Sequence, residues 1–476
     1  MKFKRIPSAA AVLGVLAVLS GCASHVQQLH KSEPHVNTAA LQSSVPEGVH
    51  TATVHDVQDE KWWLLLEDRG VSEVIERALK NNTDVRLAVE RLNEVAAVLG
   101  YTGSARHPSF FGQLTENRNR SSRATSSPNG GVLSESTTLG LGVSWELDLW
   151  GKLAAQEDAA RANFMQQGYN VRGVRLSVAA TAASLCNQVR VLDLQVKVLE
   201  QTLGSREEAY ALAKKRYEVG LTNELQLRQT ESEHWAVRAQ LPDTREQLSK
   251  AKNALSALIG GELPAFDPLE VVNLQPAKLF VVPDSVPSEL LLRRPDLAAS
   301  EQQLLAAEAN LEVARKAFFP SIELSAFGGR ESSALSNLFS GPAKLWNFQA
   351  QLTQPIFQAN RLVYERDATL ARHNQSVVQY EASIRTAFQE VYDAIVAQRE
   401  ARERLMARQE QVTTLTEVVR LARLRLEHGV ASQLEVLDAQ RSLLSAQLNW
   451  VGAWQQQQEA TLSMFRALGG GFQAKG

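Results

Sequence analysis

The second half of this sequence repeats the first half, and this repeat limits the folds that are open to the chain. RYEVGLTNELQLRQTE, at Arg216–Glu231, is matched by RLEHGVASQLEVLDAQ at Arg425–Gln440, a shift of 425 − 216 = 209 positions. ALIGG, which begins at Ala257, recurs with the same shift as RALGG at Arg466. Because these landmarks keep their order and nearly their spacing, we expect two copies of one structural unit.

Each copy contains two segments with the alternation of a β-strand that has one apolar and one polar face. In LGLGVSWELDLW, which begins at Leu139, apolar side chains occupy every second position. Strands are therefore predicted at about 108–117, 138–149, 320–328 and 346–357. Each is long enough for a tilted strand to cross the hydrocarbon core of a membrane.

Long helical segments follow these strands in both copies. Residues 151–219 contain no proline, and residues 360–428 contain neither proline nor glycine. At about 1.5 Å per residue, each segment could extend roughly 100 Å as a helix. Gly220 and Gly429 end the two segments at equivalent positions. Return helices are expected at 221–259, with a kink at Pro242, and at 430–468.

The first residues have the features of a bacterial lipoprotein signal. Basic residues stand at positions 2, 4 and 5, and positions 9–19 hold only Ala, Val, Leu and Gly. The sequence LSGC then ends at Cys22, which we expect to carry the lipid, a palmitate-type modification. By resemblance to enteric lipoproteins, Ala23 favours sorting to the outer membrane.

These features divide the chain into six expected segments: a signal peptide (1–21), a lipidated tether (22–71), the first repeat (72–262), a linker (263–287), the second repeat (288–470) and a tail (471–476).

Composition and motifs exclude several classes of protein. The formal net charge is −2, so bulk attraction to nucleic acid is not expected. Of the two cysteines, a lipidated Cys22 would leave Cys186 without a disulfide partner, and Cys186 is expected to pack as a small apolar residue. HExxH, GxSxG and a phosphate-binding loop are missing from the sequence, so neither an enzyme nor a cofactor is expected. No run of about 18 apolar residues exists, so any membrane crossing must use β-strands.

Four strands cannot close a membrane barrel, because the smallest such barrels have about eight strands. An open edge in lipid would leave hydrogen bonds unmade, so several chains must share one barrel. Two chains would supply eight strands and three would supply twelve. The polar faces of the strands would then line a water-filled lumen, and the residues expected there are Glu146, Asp148, Glu323, Gln349 and Gln351.

The ordered set of motifs resembles the TolC/NodT-type outer-membrane factor family, in its lipoprotein, drug-efflux branch. The motifs include SWELDLWGKL at Ser144, RYEVGL at Arg216, RRPD at Arg293, FFPSIELSAFGG at Phe318 and RALGGGF at Arg466. The resemblance implies a mainly α fold with a membrane β-barrel, built as a homotrimer with a 12-stranded barrel continuous with a long periplasmic α-helical barrel. It also implies an exit duct of a tripartite pump, with a periplasmic adaptor and a proton-driven inner-membrane exporter as partners.

By the same resemblance, the two helix turns form the periplasmic tip, where the adaptor docks and the aperture opens. The glycines would permit the turns, and the arginines would hold ion pairs or carbonyls. The residues expected at this docking and gating site are Arg216, Glu218, Gly220, Leu221, Thr222, Arg425, Glu427, Gly429 and Val430. Many relatives have Asp around the tip, and this sequence departs from that pattern.

Several interpretations of the protein's function stay open on the sequence alone. The duct could serve export of drugs or other small toxic compounds, or instead a type I protein-secretion or metal-efflux system. A lipid-anchored periplasmic coiled-coil scaffold without a pore is a different class, although two-faced strands have no use in it.

Large aromatic residues are expected to form an interfacial girdle: Phe110, Phe111, Trp145, Trp150, Trp346 and Phe357. Five histidines belong either to an irregular tether or to a metal site: His25, His30, His35, His50 and His55.

Overall fold

The computed structural model describes residues 54–55, 61–122, 124, 131–264, 294–470 and 473–474. The expected signal peptide, the lipidated Cys22, the side chains of the N-terminal histidines and most of the expected linker lie outside the described residues.

Seven helices and six strands form the described part of the chain. The helices are α1 (Arg69–Asn81), α2 (Thr83–Ser104), α3 (Lys152–Glu218), α4 (Glu224–Ile259), α5 (Pro295–Lys316), α6 (Arg361–Glu427) and α7 (Gln433–Ala467). The strands are β1 (Val54–His55), β2 (Ser109–Arg120), β3 (Leu133–Leu147), β4 (Ser321–Ser332), β5 (Lys344–Thr353) and β6 (Gln473–Ala474).

Helices α3 and α6 occupy equivalent places in the two repeats. Each has 67 residues, which corresponds to roughly 100 Å of helix. Their return helices, α4 and α7, pack against α3 and α6 respectively. Pro242 lies inside α4, and the helix does not end there. Within the described residues, no helix is long and apolar enough to span a membrane.

The main sheet has four antiparallel strands in the order β2–β3–β4–β5. Its centre, β3 against β4, joins the first repeat to the second, with Trp145 opposite Leu324. The outer edges of β2 and β5 pair with no other strand of the described chain. The sheet therefore offers two open edges with unpaired backbone hydrogen-bonding groups.

The strands begin and end at residues that differ from the bounds expected from the sequence. β2 and β3 extend beyond their apolar alternation as a polar hairpin, in which Arg118 and Glu135 are directly opposite and 3.7 Å apart. β5 ends at Thr353, because Pro355 cannot donate to a strand ladder. Phe357 consequently lies outside the strand, with 85% of its surface exposed.

The largest apolar core of the described residues lies midway along α3, where a 3-10 turn at Trp62–Leu66 and helix α1 pack on α3 and on the later parts of α4 and α7. Trp62 stacks on Phe465 with ring centroids 4.9 Å apart. Cys186 is fully buried in this core, and desolvation raises the pKa of its thiol to about 12. The expectation that Cys186 packs as a small apolar residue is confirmed.

Candidate functional site

The register of the sheet places the expected polar residues on one face. Residues that are directly opposite each other on neighbouring strands point to the same side. One such row contains Glu146, Glu323 and Gln351, and the next polar row contains Ser144, Ser325 and Gln349. Four of the five residues expected to line a lumen are therefore brought together on this polar face.

The polar face carries acidic charge and no basic charge within the four strands of the main sheet. Its three carboxylates belong to Glu146, Glu323 and Glu331. Glu146 pairs with Lys152 at 2.6 Å, whereas Glu323 accepts a hydrogen bond from Ser144 Oγ at 3.3 Å. All basic residues of these strands stand at positions of the opposite face: Arg118, Arg120, Arg330 and Lys344. The electrostatic field at the polar face therefore favours cations.

The opposite face is apolar along most of the sheet, and several of its large side chains are exposed. Leu141 is 74% exposed, Trp346 is 83% exposed, and Phe110 and Phe348 are likewise exposed. Such a contiguous exposed apolar surface marks a contact with lipid or with protein.

Asp148 requires a correction, because it lies one residue beyond the end of β3. Its carboxylate accepts hydrogen bonds from the backbone N–H of Leu153 at 3.0 Å and of Ala154 at 2.7 Å. These are among the first N–H groups of α3, which lack partners inside the helix. Asp148 therefore caps the start of α3 and is not a residue of the strand's polar face.

The expected aromatic girdle needs correction at Phe111, whereas Trp150 does lie just beyond the end of a strand. Phe111 is opposite Gly142 and lies on the polar face, in the same row as Phe327. Trp150 follows β3, stacks on Phe319 at 5.4 Å and donates to the carbonyl oxygen of Pro320 at 2.6 Å. It therefore braces the junction between the sheet and the long helices.

The two helix turns expected at the tip have the same backbone geometry. Gly220 has φ of +74° and donates to the carbonyl of Tyr217, while the N–H of Leu221 bonds the carbonyl of Arg216 at 2.8 Å. Gly429 has φ of +73°, and Val430 repeats the second bond. Both turns are Schellman motifs, in which glycine supplies the left-handed conformation that ends the helix.

The side chains around the two turns differ between the repeats. Arg425 lies 3.5 Å from Glu435 and donates to the carbonyl of Val430 at 3.3 Å. Within the described residues, Arg216 has no such partner. The first turn is instead held by Thr222, which hydrogen-bonds Gln226, at the point where α4 begins.

Apolar side chains are exposed at both turns. Leu221 is 77% exposed and Val430 is 64% exposed. Glu218 and Glu427, which were also expected at this site, are exposed on the last turns of α3 and α6.

A polar cluster between the repeats was not anticipated from the sequence. Arg206 of α3 is only 3% exposed; it donates to Gln440 of α7 and lies 4.0 Å from the carboxylate of Glu233 on α4. Arg441 of α7 donates to the same carboxylate, with Nε at 3.1 Å. Desolvation lowers the pKa of Arg206 from its ordinary value. The sequence did contain one indication of this cluster. The two repeats differ at this position, because the first has the charged Arg206 where the second has the apolar Leu415.

This architecture defines a class of protein. The sheet, with one polar and one apolar face, continues into helices roughly 100 Å long. Each repeat supplies two strands and one such helix, and the two repeats meet at the central strand pair, β3 and β4. The family model described as "Outer membrane efflux protein" matches residues 74–261 and 286–470, one match for each repeat. The chain belongs to the outer membrane efflux protein family.

Individual relatives agree with this membership. The cation efflux system protein CusC of Escherichia coli O6:H1 is 33% identical over 87% of this chain and 89% of its own length. The toluene efflux pump outer membrane protein TtgF of Pseudomonas putida is 35% identical over 89% and 88%. The probable outer membrane lipoprotein SilC of Salmonella typhimurium is 31% identical over 97% and 98%.

Solved structures show the same fold. A crystal structure of CusC has a TM-score of 0.80 and 31% identity, covering 90% of this chain and 98% of its own. The open state of the MtrE outer membrane channel of Neisseria gonorrhoeae has a TM-score of 0.80 and 28% identity, over 93% and 97%. The expected fold class, the two repeats and the efflux-channel function are confirmed. The protein is an outer-membrane exit duct for efflux, and its family carries out transport and no catalysis.

Proposed function

We propose that three copies of this chain form one continuous duct, with a shared barrel in the outer membrane and an α-helical barrel in the periplasm. The observation that carries this proposal is the main sheet, which has one apolar face, one acidic polar face and two open edges. In a membrane, unpaired backbone groups at an edge cost several kcal/mol each, so the outer edge of β5 needs the outer edge of β2 of a neighbouring copy.

Three copies supply twelve strands, and the acidic face then lines the lumen. Glu146, Glu323, Gln349 and Gln351 are the inward-facing residues of this proposal. The apolar face, including Leu141 and Trp346, contacts lipid.

The tip is the proposed docking and gating site. A periplasmic adaptor packs on the exposed apolar side chains of Leu221 and Val430, and an inner-membrane transporter, here a proton-driven exporter, supplies the energy. Arg216, Glu218, Glu427 and Arg425 surround the same two turns and provide charge for the contact. Crosslinking of a photoreactive residue at position 221 in living cells, followed by mass spectrometry, tests whether an adaptor is bound there.

Cys22 is proposed to carry the lipid anchor. Support comes from the LSGC sequence and from SilC, whose name describes an outer membrane lipoprotein. Metabolic labelling with radioactive palmitate should mark the wild type, and Cys22→Ser should abolish the label. Labelling of the variant would contradict this assignment.

Small organic toxic compounds are the proposed cargo. The relatives support two kinds of export, because TtgF is named for toluene and CusC for cations. Metal efflux is therefore the second candidate. The test is deletion of the gene, with growth measured against a panel of dyes and solvents and, separately, against silver and copper salts. Sensitivity to the organic panel alone supports the proposal, and sensitivity to the metal salts alone overturns it in favour of metal efflux.

A further inference from the structure

We infer that Phe111 and Phe327 form an aromatic binding site on the inner wall of the duct, where the flat apolar rings of organic cations are held in transit. This inference rests on the proposed inward orientation of the polar face. It is distinct from the tip, because it lies in the sheet, at the opposite end of the long helices.

The register places both rings on the polar face. Phe111 on β2 is opposite Gly142 on β3, and Gly142 is in turn opposite Phe327 on β4. The row is completed by Asn347 on β5. The neighbouring row on one side contains Ser144, so the two phenylalanines are apolar residues within a polar surface.

Glycines on β3 make room for both rings. A Cβ atom built on Gly142 would lie 2.3 Å from Cζ of Phe111, and one built on Gly140 would lie 2.5 Å from Cζ of Phe327. Each ring therefore occupies the place that a β3 side chain would take and covers the strand backbone. Phe111 still keeps 46% of its surface exposed. Phe327 is half-buried, so the site is a partly open aromatic wall.

The charge around the rings selects the kind of ligand. Glu323, Phe327 and Glu331 stand four residues apart on the same face of β4, which places each carboxylate about 13 Å along the strand from the aromatic residue. Within the described residues, neither carboxylate has an ion-pair partner. A ligand with aromatic rings and a positive charge would gain stacking and cation–π contact with a ring, and the carboxylates would add a longer-range attraction that salt weakens.

The threefold symmetry of the proposed assembly would repeat this pair of phenylalanines around the lumen as a belt. In the proposed trimer, the three copies of Phe111 would lie at one level of the barrel and the three copies of Phe327 at a second level, offset from the first by the tilt of the strands. The belt would then be crossed by every solute that leaves the cell through the duct.

Neighbouring residues on β2 allow a sharp test. Phe110 and Phe111 have the same side chain and adjacent positions, but they point to opposite faces of the sheet. The full protein is reconstituted in phosphatidylcholine vesicles, and binding of ethidium, a planar organic cation, is followed by fluorescence anisotropy. We expect Phe111→Ala combined with Phe327→Ala to weaken binding about tenfold, and Phe110→Ala to leave it unchanged.

Three results would overturn the inference: no saturable binding to the wild type, no effect of the double variant, or an equal effect of Phe110→Ala. Ion conductance of the same preparations separates this inference from the proposed function. If the channels conduct but the double variant binds ethidium as tightly as the wild type does, only the aromatic site is refuted. Folded, membrane-inserted protein that does not conduct refutes the duct itself.

Discussion

Nε of Arg441 lies 3.1 Å from Oε1 of Glu233, and this ion pair joins α7 of the second repeat to α4 of the first. The contact lies about 13 Å along the helices from the tip end, since Glu233 is nine positions and Arg441 eight positions beyond the start of its return helix. Glu233 also lies beside the buried Arg206. The pair therefore fastens one helical hairpin to the other close to the proposed gate.

Loss of this fastening should loosen the tip. We predict that Arg441→Ala weakens the inter-hairpin contact and leaves the duct open more often, because Arg206 is the one ion-pair partner that Glu233 then keeps among the described residues. The coupling energy expected for such a pair is about 0.5–3 kcal/mol. Growth of cells in vancomycin, a large antibiotic that an intact outer membrane excludes, measures the leak.

The matched control is Arg420→Ala. Arg420 forms an exposed pair with Glu417 on its own helix, and surface pairs of this kind contribute little. Vancomycin sensitivity that is equal in both variants, or missing from Arg441→Ala, would refute a gating role for the inter-hairpin pair.

Gly220 should be replaceable only at a local energetic cost. No atom of the described residues lies within 4 Å of a Cβ atom built there, so the penalty of Gly220→Ala comes from the left-handed backbone at φ +74°, about 1–2 kcal/mol. Faster hydrogen exchange in residues 216–226, with α1 unaffected, is the expected result. Gly204→Ala, inside α3 and equally unobstructed, should instead slow exchange or leave it unchanged. Unaltered exchange in Gly220→Ala would contradict the assigned turn.

Cysteine crosslinking can count the chains in the barrel. Both native cysteines are poor competitors, because Cys186 is buried and Cys22 is the proposed lipid site. A cysteine at Gln113 on β2, combined in turn with one at Asn347, Gln349 or Gln351 on β5, samples the register between copies. Oxidation should give a ladder that ends at three chains for at least one pair. A ladder that stops at two, or no crosslink in any register, would refute the shared 12-stranded barrel.

Acid should weaken the junction that Arg294 organises. This buried arginine donates to Asp296 at 2.8 Å and to the carbonyl of Ala467 at 2.9 Å. Desolvation opposes ionisation of Asp296, but the hydrogen bond and charge of Arg294 outweigh it, and the pKa of this carboxyl lies below its ordinary value. The stability that ionised Asp296 contributes is present above about pH 4. It is lost as the pH falls through the lowered pKa that this carboxyl has in the folded protein.

The predicted signature is a difference that depends on pH. Asp296→Asn should lower the thermal stability of the detergent-solubilised protein at pH 7, and its deficit against the wild type should shrink toward pH 3. Asp243→Asn, at an exposed position of α4, is the control for the loss of a carboxylate. A deficit of equal size at both pH values would show that Asp296 contributes packing alone.

Periodicity and repetition made the fold predictable. Alternation fixed the faces of the strands, as the row of Glu146, Glu323 and Gln351 shows. The shift between the repeats located the turns at Gly220 and Gly429, where only a residue tolerant of positive φ ends the helix without strain. Both signals are contained in the order of the residues and do not depend on which elements are in contact, so they can be read from a single sequence.

What the sequence did not reveal depends on contacts between elements. Asp148 fits the strand alternation, yet the N–H groups of α3 take its carboxylate. Phe111 has an apolar side chain on a polar face, which becomes intelligible only when Gly142 is seen across from it. Arg206 looks like a surface charge until α7 brings Gln440 against it.

The most direct test of a duct through the outer membrane is the single-channel conductance of the purified protein in a planar bilayer. Wild type is measured beside a variant with Arg216→Ala and Arg425→Ala, which removes the arginine side chain next to each turn. We predict small, infrequent openings in the wild type and larger, sustained openings in the variant. If neither protein conducts, although both are folded and inserted in the membrane, the duct is contradicted and a periplasmic scaffold becomes the better account.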